Sequence, residues 1–402
     1  MRVLFLSPIG NIGGAERVLL STAAGLKRER PDMVLRVISL SPGPLLDAVR
    51  DLGGEAEAVS LPVELGELGD SRLSQSRFHL VAAAARKLPR LYSFLSQLRA
   101  AITRFAPDLV HSNGIKTHLL SRFTVRSGVP VVWHIHDFLG TRRVAGTLLR
   151  RARSRVRIAI AVSSAVAIDA RAALPGVRVE MLPNAVDLVR FSPGVSDGTH
   201  LDSLASFPLA PPGTVRVGLV ATYARWKGHL TFLEAAARLA ADQPTLPIRW
   251  YIVGGAIYHT AAQFTEAELR AEVVARGIAD RVAFVPFTSN PVPVYRGLDV
   301  VVHASTQPEP FGLTIVEAMA CGRPVVVSAA GGASELFRDG RDAVGFSPGQ
   351  SRELAEAVRR LVENPTLRDQ LGVAARRAAE DRFDAAGYPQ KLLDVYRHAF
   401  RC

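Results

Sequence analysis

Two carboxylates and two cations carry the clearest chemical pattern in the chain. Glu309 and Glu317 bracket the run Glu309-Pro310-Phe311-Gly312-Leu313-Thr314-Ile315-Val316-Glu317 and stand eight residues apart. Pro310 and Gly312 mark a loop entering a short helix, Gly322 can cap its end, and Pro324 leads into the next strand. That helix is almost wholly apolar and is expected to be buried. A carboxylate inside it, Glu317, needs a partner, which ligand hydroxyls or a structural salt bridge would supply. Glu309 stands at the mouth of the helix, where the free N–H groups of residues 311–314 converge, a place suited to hydroxyls and phosphates. The cations lie in Thr222-Tyr223-Ala224-Arg225-Trp226-Lys227-Gly228, a strand-to-helix turn. Arg225 and Lys227 are candidate clamps on a diphosphate, or else solvent-facing turn residues.

A glycine-bearing turn, Ile9-Gly10-Asn11-Ile12-Gly13-Gly14-Ala15-Glu16, follows the first apolar run. Its glycines allow a ligand close to the backbone, and the helix that follows favours negative charge at its start. Glu16 either stabilises that helix dipole or touches the ligand. The spacing is neither GxGxxG nor GxxxxGK[ST], which argues against nicotinamide enzymes and P-loop ATPases.

The elements that must position these residues alternate between strand and helix. Val3–Ser7, Val34–Leu40, Leu109–His111, Val131–His136, Ile158–Val162 and Val179–Leu182 read as strands, with helices such as Ala15–Leu26, Ala82–Phe105 and Ser163–Ala173 between them. Residues 191–213 are rich in Pro and Gly and read as a linker. The alternation then restarts with Val215–Ala221, Leu230–Ala241, Arg249–Val253, Val282–Val285, Val300–His303 and Pro324–Ser328, and helices follow from Ser351 to Glu380. Strands separated by helices imply parallel sheets covered on both faces, with ligands beyond the carboxyl ends of the strands.

Composition narrows the class further. The 402 residues are 48% hydrophobic and 21% charged, which suits two cores and argues against disorder. Cys321 and Cys402 are the only cysteines, so neither a disulfide framework nor a Cys-based zinc site is expected, and a reducing cytoplasm fits. The opening run Val3-Leu4-Phe5-Leu6 falls far short of the ~20 apolar residues of a spanning helix and is also too short for a signal-peptide core. Residues 1–205 hold 27 Lys and Arg against 17 Asp and Glu, or +10 of the net +12, and seven arginines lie between Arg142 and Arg157. This asymmetry points to an anionic partner, or else to a solvated basic surface. No recognition helix or aromatic-interleaved platform suggests nucleic acid.

At this point the chain resembles a known family. Glu309 and Glu317 match the E-x7-E motif of retaining glycosyltransferases of the GT-B fold, family 4 (glycosyl transferases group 1). Gly13-Gly14-Ala15-Glu16, Pro107-Asp108-Leu109-Val110-His111, His136-Asp137, Val162-Ser163, Pro183-Asn184-Ala185-Val186-Asp187, Trp226-Lys227-Gly228 and Gly331-Gly332 before Glu335 agree in order, over residues 2 to 398. The resemblance implies two Rossmann-like doubly wound domains facing each other across a cleft. Residues 1–190 would form the acceptor-side domain, joined by a C-terminal helix 387–402. Residues 191–213 would be the linker, and 214–386 would bind the nucleotide sugar.

It further implies that Glu317 holds the ribose hydroxyls and Glu309 the hydroxyls of the donor sugar. Lys227 would neutralise the diphosphate with the amides of Phe311, Gly312, Leu313 and Thr314 and of Gly13 and Gly14. Phe287 would line the base pocket, and His136 would stand beside the transferred sugar, unless it or His134 merely stabilises the strand end. Thr222 stands where the family usually has Arg, with Arg225 as the expected substitute. Pro286-Phe287 replaces a glycine-bearing turn, Ala185 a glycine, and His303-Ala304-Ser305 a common Pro-Ser. No Asp-x-Asp ends a strand, so transfer without a metal or other cofactor is expected. The expected acceptor is a hydroxyl on a polysaccharide, a lipid-linked sugar or a small glycoside. Its choice would rest on loops such as Val59–Ser76 and on Arg142–Arg157, which could also dock on an anionic inner membrane face. A sugar-nucleotide epimerase or phosphorylase of the same fold, or a non-catalytic nucleotide-sugar-binding partner, are the alternatives.

Overall fold

The computed structural model describes residues 1–62, 77–195, 198–256 and 261–401. The chain forms two compact units, Met1–Asn184 with Ala385–Cys402, and Ala185–Asp384. Beyond residue 62, the Val59–Ser76 loop lies outside the described residues.

In the first unit, β1 (Arg2–Ser7), β2 (Val34–Ser39), β3 (Glu55–Ala58), β4 (Leu109–Ser112), β5 (Val131–Ile135), β6 (Val156–Ala161) and β7 (Arg178–Met181) form one parallel sheet. Among the described residues its order is β3-β2-β1-β4-β5-β6-β7. Val3 to Leu6 are wholly buried, because helices cover both faces of a parallel sheet and leave no polar side to alternate with. Val3 pairs with Leu35 on one side and Leu109 on the other, so β1 and β4 flank the point where the winding reverses. Strand β3 has no signal in the sequence: Glu55-Ala56-Glu57-Ala58 lacks β-branched residues. It forms at the sheet edge because β2 offers it a template and Arg36 pairs with Glu55.

The C-terminal helix Tyr388–Arg401 belongs to this unit and buries Tyr388, Leu392 and Tyr396. Gly25, in the helix Gly14–Glu29, leaves room for it, since a Cβ there would stand 2.5 Å from Pro389 Cγ.

In the second unit, β8 (Val215–Val220), β9 (Ile248–Gly254), β10 (Val282–Pro286), β11 (Val300–His303), β12 (Val325–Ser328) and β13 (Val344–Phe346) are parallel in the order β10-β9-β8-β11-β12-β13. Its winding reverses between β8 and β11. The helical region from Ser351 is two helices, Ser351–Glu363 and Pro365–Phe383, because Pro365 cannot continue the first and opens the second.

The stretch 191–213 is part of the second unit. Its helix Gly198–Leu204 brings in Asp202, which is wholly buried and accepts from Arg249 Nη1 at 3.0 Å, Tyr251 Oη at 2.5 Å and the Ala210 amide at 2.9 Å. Arg216 stands 3.4 Å away. A turn-rich composition hides one carboxylate that anchors the segment to β8 and β9 through charge-assisted hydrogen bonds.

Candidate active site

The β8 and β11 ends carry the chemistry of the second unit. After β8 the chain turns through Arg225–Lys227 into the helix His229–Asp242. Gly228 makes the turn possible. Its φ of +78° suits glycine, and a Cβ there would lie 1.8 Å from the Ala304 carbonyl oxygen beyond β11. The Thr306 amide donates to the Trp226 carbonyl at 2.7 Å and joins the same two loops. This close approach delivers Lys227 to Glu309.

Lys227 Nζ donates to both oxygens of Glu309, at 2.7 Å and 3.0 Å. Ser305 Oγ donates to Glu309 Oε2 at 2.8 Å, and His303 Nε2 lies 3.1 Å from the same oxygen. His303 Nδ1 is buried without a partner among the described residues, so its proton belongs on Nε2 as a donor. Burial pushes the Glu309 carboxyl up, yet the Lys227 ammonium and His303 outweigh it and hold the group well below the usual carboxylate range. The Glu309 backbone is fixed as well, since the Gly332 amide donates to its carbonyl at 2.7 Å. His303 and Ser305 were not among the expected site residues. Their place at the end of a strand, six and four residues before Glu309, was the available signal.

Gly312, at φ +110°, opens the helix Leu313–Ala320, whose first turn has no side-chain cap. The amides of Leu313 and Thr314 therefore head an uncapped helix start just past Glu309, with Phe311 buried against Phe383. Glu317 is buried within the helix and accepts from Tyr295 Oη at 2.7 Å. Tyr295 lies in the helix Val292–Gly297 and has no motif to announce it. Phe287 follows β10 with 48% of its surface exposed, and its Cβ would stand 3.4 Å from a Cβ on Gly255.

Arg225 does not join the Lys227 cluster. Its Nη2 donates to Glu268 Oε1 at 2.8 Å, its Nε to the Ala261 carbonyl at 3.1 Å, and its guanidinium stacks 4.2 Å above Phe264. The adjacent Phe264 and Glu268 offer it both a ring face and a counter-charge. Thr222 is half-buried at the end of β8.

In the first unit the glycine turn is partly self-satisfied. The Gly13 amide donates to Glu16 Oε2 at 3.2 Å, so that N–H is not open to a ligand and Glu16 acts as a cap of its own helix. Burial raises the Glu16 carboxyl to about 7 against the opposing backbone and Ser7 hydrogen bonds. Gly14, the first helical residue, is exposed.

His136 follows β5 and is partly buried. Its Nε2 lies 2.8 Å from Asn113 Oδ1, and its ring is 4.0 Å from that of His134. His134 Nδ1 is 3.2 Å from His111 Nε2, and His111 Nδ1 is 2.8 Å from Tyr396 Oη. Burial lowers His111 and His136 to about 3 and lowers His118 and His134 well below the ordinary imidazole value, so all four stay neutral.

The arginine run is partly structural. Arg142 pairs with Asp137, while Arg150 Nε and Arg153 Nε donate to the Ala173 and Pro175 carbonyls at 3.3 Å and 2.8 Å. The Ala173 carbonyl ends the helix Ser164–Ala173 and Pro175 lies just beyond its cap, a place where cations are favoured. No group of His, Cys, Asp and Glu among the described residues could hold a metal, and no helix among them is long and apolar enough to cross a membrane.

Two doubly wound parallel-sheet units, the second with a lysine–carboxylate pair and an uncapped helix start at its reversal point, have the architecture of the GT-B glycosyltransferases. The chain belongs to that family: residues 12–190 match Glycosyltransferase Family 4 and residues 207–378 match Glycosyl transferases group 1. It is similar to the D-inositol 3-phosphate glycosyltransferase of Rhodococcus erythropolis, 31% identical over 225 residues that cover 55% of this chain and 49% of the relative. The corresponding protein of Salinispora arenicola is 34% identical over 229 residues, 55% of this chain and 50% of the relative. The match thus spans about half the length of these curated relatives.

Among solved structures, HepE of Anabaena in complex with UDP and glucose superposes with a TM-score of 0.81 at 25% identity, covering 99% of both chains. The same protein with UDP-glucose gives 0.79, again over 99% of each chain at 25% identity. Sucrose-phosphate synthase of Thermosynechococcus elongatus shares the fold at a TM-score of 0.77 and 18% identity, over 100% of this chain and 99% of that one.

Proposed function

We propose that the chain transfers a hexose from a nucleoside-diphosphate sugar, with UDP-hexoses the first to test, to an acceptor hydroxyl with retention of anomeric configuration. The observation that carries this reading is the pairing of Lys227 with Glu309 beside the uncapped helix start at Leu313. An ammonium has three N–H groups; Glu309 engages two, and Nζ also lies 4.1 Å from the centre of the Trp226 ring, a weak contact that a diphosphate oxygen would replace. The amides of Leu313 and Thr314 add positive potential where the leaving group gathers charge. Lys227 and these amides do the work that a bridging divalent ion does elsewhere, so the reaction is proposed to need no metal.

In this scheme the bond from the anomeric carbon to the phosphate oxygen breaks and the acceptor oxygen bonds to the same face. The acceptor proton passes to the departing phosphate. Glu309 holds donor-sugar hydroxyls and is not a displacing nucleophile, Glu317 holds the ribose, Phe287 borders the base, and His136 meets the transferred sugar. The acceptor is proposed to be anionic, in keeping with the +10 charge of residues 1–205 and the phosphorylated polyol in the relatives' names. Arg151, Arg155 and Arg157, with the exposed Val144 and Leu148, would also suit peripheral contact with anionic lipid. Liposome sedimentation indifferent to anionic lipid content would remove that part.

The test is turnover of UDP-glucose and other sugar nucleotides with polyol-phosphate and lipid-linked acceptors, in buffer containing EDTA, with product anomers assigned by proton NMR. Transfer with retention that survives EDTA and is lost in Glu317→Ala supports the reading. Inversion, or full activity in that folded variant, overturns it.

A further inference from the structure

Asn113 follows β4 in the first unit and is buried. Its own amide is held by the Leu6 carbonyl at 2.9 Å, which ties the end of β4 to β1. The side-chain amide is oriented by a backbone group: Nδ2 donates to the Ala15 carbonyl at 3.1 Å. A carbonyl can only accept, so Oδ1 is the end that faces His136 Nε2 at 2.8 Å. Oδ1 likewise can only accept, so the proton of that contact resides on His136 Nε2. His136 Nδ1 has no partner among the described residues and is not among their sealed, unpaired atoms.

We propose that Asn113 is a positioning residue that locks His136 in its Nε2–H form, presenting Nδ1 as a hydrogen-bond acceptor for a sugar hydroxyl. The hydroxyl half of this statement rests on the transferase reading above, whereas the tautomer does not. The lock ties the Gly13-Gly14-Ala15 turn to the histidine: the Ala15 carbonyl orients Asn113, and Asn113 orients the ring. The titratable groups against His136 are His134, with His111 and His118 behind it, and the neighbouring Asp137, which is paired with Arg142. The three histidines are neutral by burial, so none supplies a charge that would reverse the assignment.

The experiment is long-range proton–nitrogen correlation on the full chain labelled at histidine nitrogen, with His136 assigned by its loss in His136→Gln. A pyrrole-type Nε2 and a pyridine-type Nδ1 are expected. In Asn113→Ala the two forms should mix and kcat/KM should fall roughly tenfold or more. Asn113→Asp loses the donation to the Ala15 carbonyl but keeps an acceptor for Nε2–H, so it should recover more of the single form than Asn113→Ala and move protonation of His136 to higher pH. A wild-type ring protonated on Nδ1, or a tautomer unchanged in folded Asn113→Ala, overturns the proposal. If Asn113→Ala does not fold, the wild-type spectrum alone decides. The expected tautomer without sugar transfer would refute the transferase reading and the hydroxyl half with it, and leave the Asn113 lock on the tautomer standing.

Discussion

Lys227 and Glu309, 82 residues apart along the chain, meet because a glycine lets one loop pass against another. Gly228 lies so close to the Ala304 carbonyl that only a residue without a side chain fits, and Lys227 is its immediate neighbour. The pair is largely buried, with 20% of the lysine and 9% of the glutamate side chain exposed.

Removing the cation should therefore strike binding and catalysis together. Lys227→Ala leaves Glu309 buried with only His303 and Ser305. Loss of one partner of a buried pair costs about 3–5 kcal/mol. We expect donor turnover to fall roughly 100- to 1000-fold. Lys227→Arg should restore little, because a planar guanidinium cannot reproduce a point charge at this turn. Urea unfolding and steady-state kinetics on both variants check this.

Gly228→Ala should damage the fold locally. The left-handed backbone costs an alanine about 1–2 kcal/mol, and its methyl group would collide with the Ala304 carbonyl. A loss of about 2 kcal/mol or more in urea is expected, with an unchanged denaturant slope and with turnover lost in the fraction that folds. By contrast Gly14→Ala, on an exposed helical position, should stabilise slightly.

Acid should destabilise the protein well above the carboxylate range. His111 and His136 are lowered to about 3 by burial, His229 to about 4, and His118 and His134 well below the ordinary value. Between those values and ~6.5 the unfolded chain binds protons that the native chain refuses, so stability falls as pH drops through that window. Each such histidine contributes up to ~1.4 kcal/mol per pH unit. Glu16, raised to about 7, acts oppositely: its native state binds the extra proton, a gain present at low pH and lost as pH rises through 7. Five histidines outweigh one glutamate. Calorimetry from pH 7.5 to 5.5 should show a falling Tm, with a smaller fall in His229→Phe.

Arg225→Ala should barely change the donor KM. Its guanidinium is committed to Glu268 and Phe264, and an exposed ion pair of this kind contributes about 0–1 kcal/mol. A tenfold or greater rise in KM would instead mean that Arg225 leaves Glu268 to reach the diphosphate.

Sequence alone was enough for the architecture and for singling out Glu309, Glu317 and Lys227 as charges in need of partners. Apolar strand runs such as Val3–Leu6 and Val325–Val327, spaced by helical stretches, dictate covered parallel sheets, because a strand buried on both faces has no polar alternation to show. Glu309, Glu317 and Lys227 could be singled out because a charge in an apolar or turn context announces its need for a partner. Only the tertiary structure decided who those partners are. Whether Lys227 meets Glu309, whether Arg225 turns to Glu268, whether Glu16 takes the Gly13 amide, and whether Asp202 anchors a proline-rich segment all depend on contacts between distant stretches. Local periodicity describes the face a residue occupies; it carries no information about which donor stands within hydrogen-bond reach of that face. The same holds for Asn113, whose role exists only because the ends of β1, β4 and β5 converge.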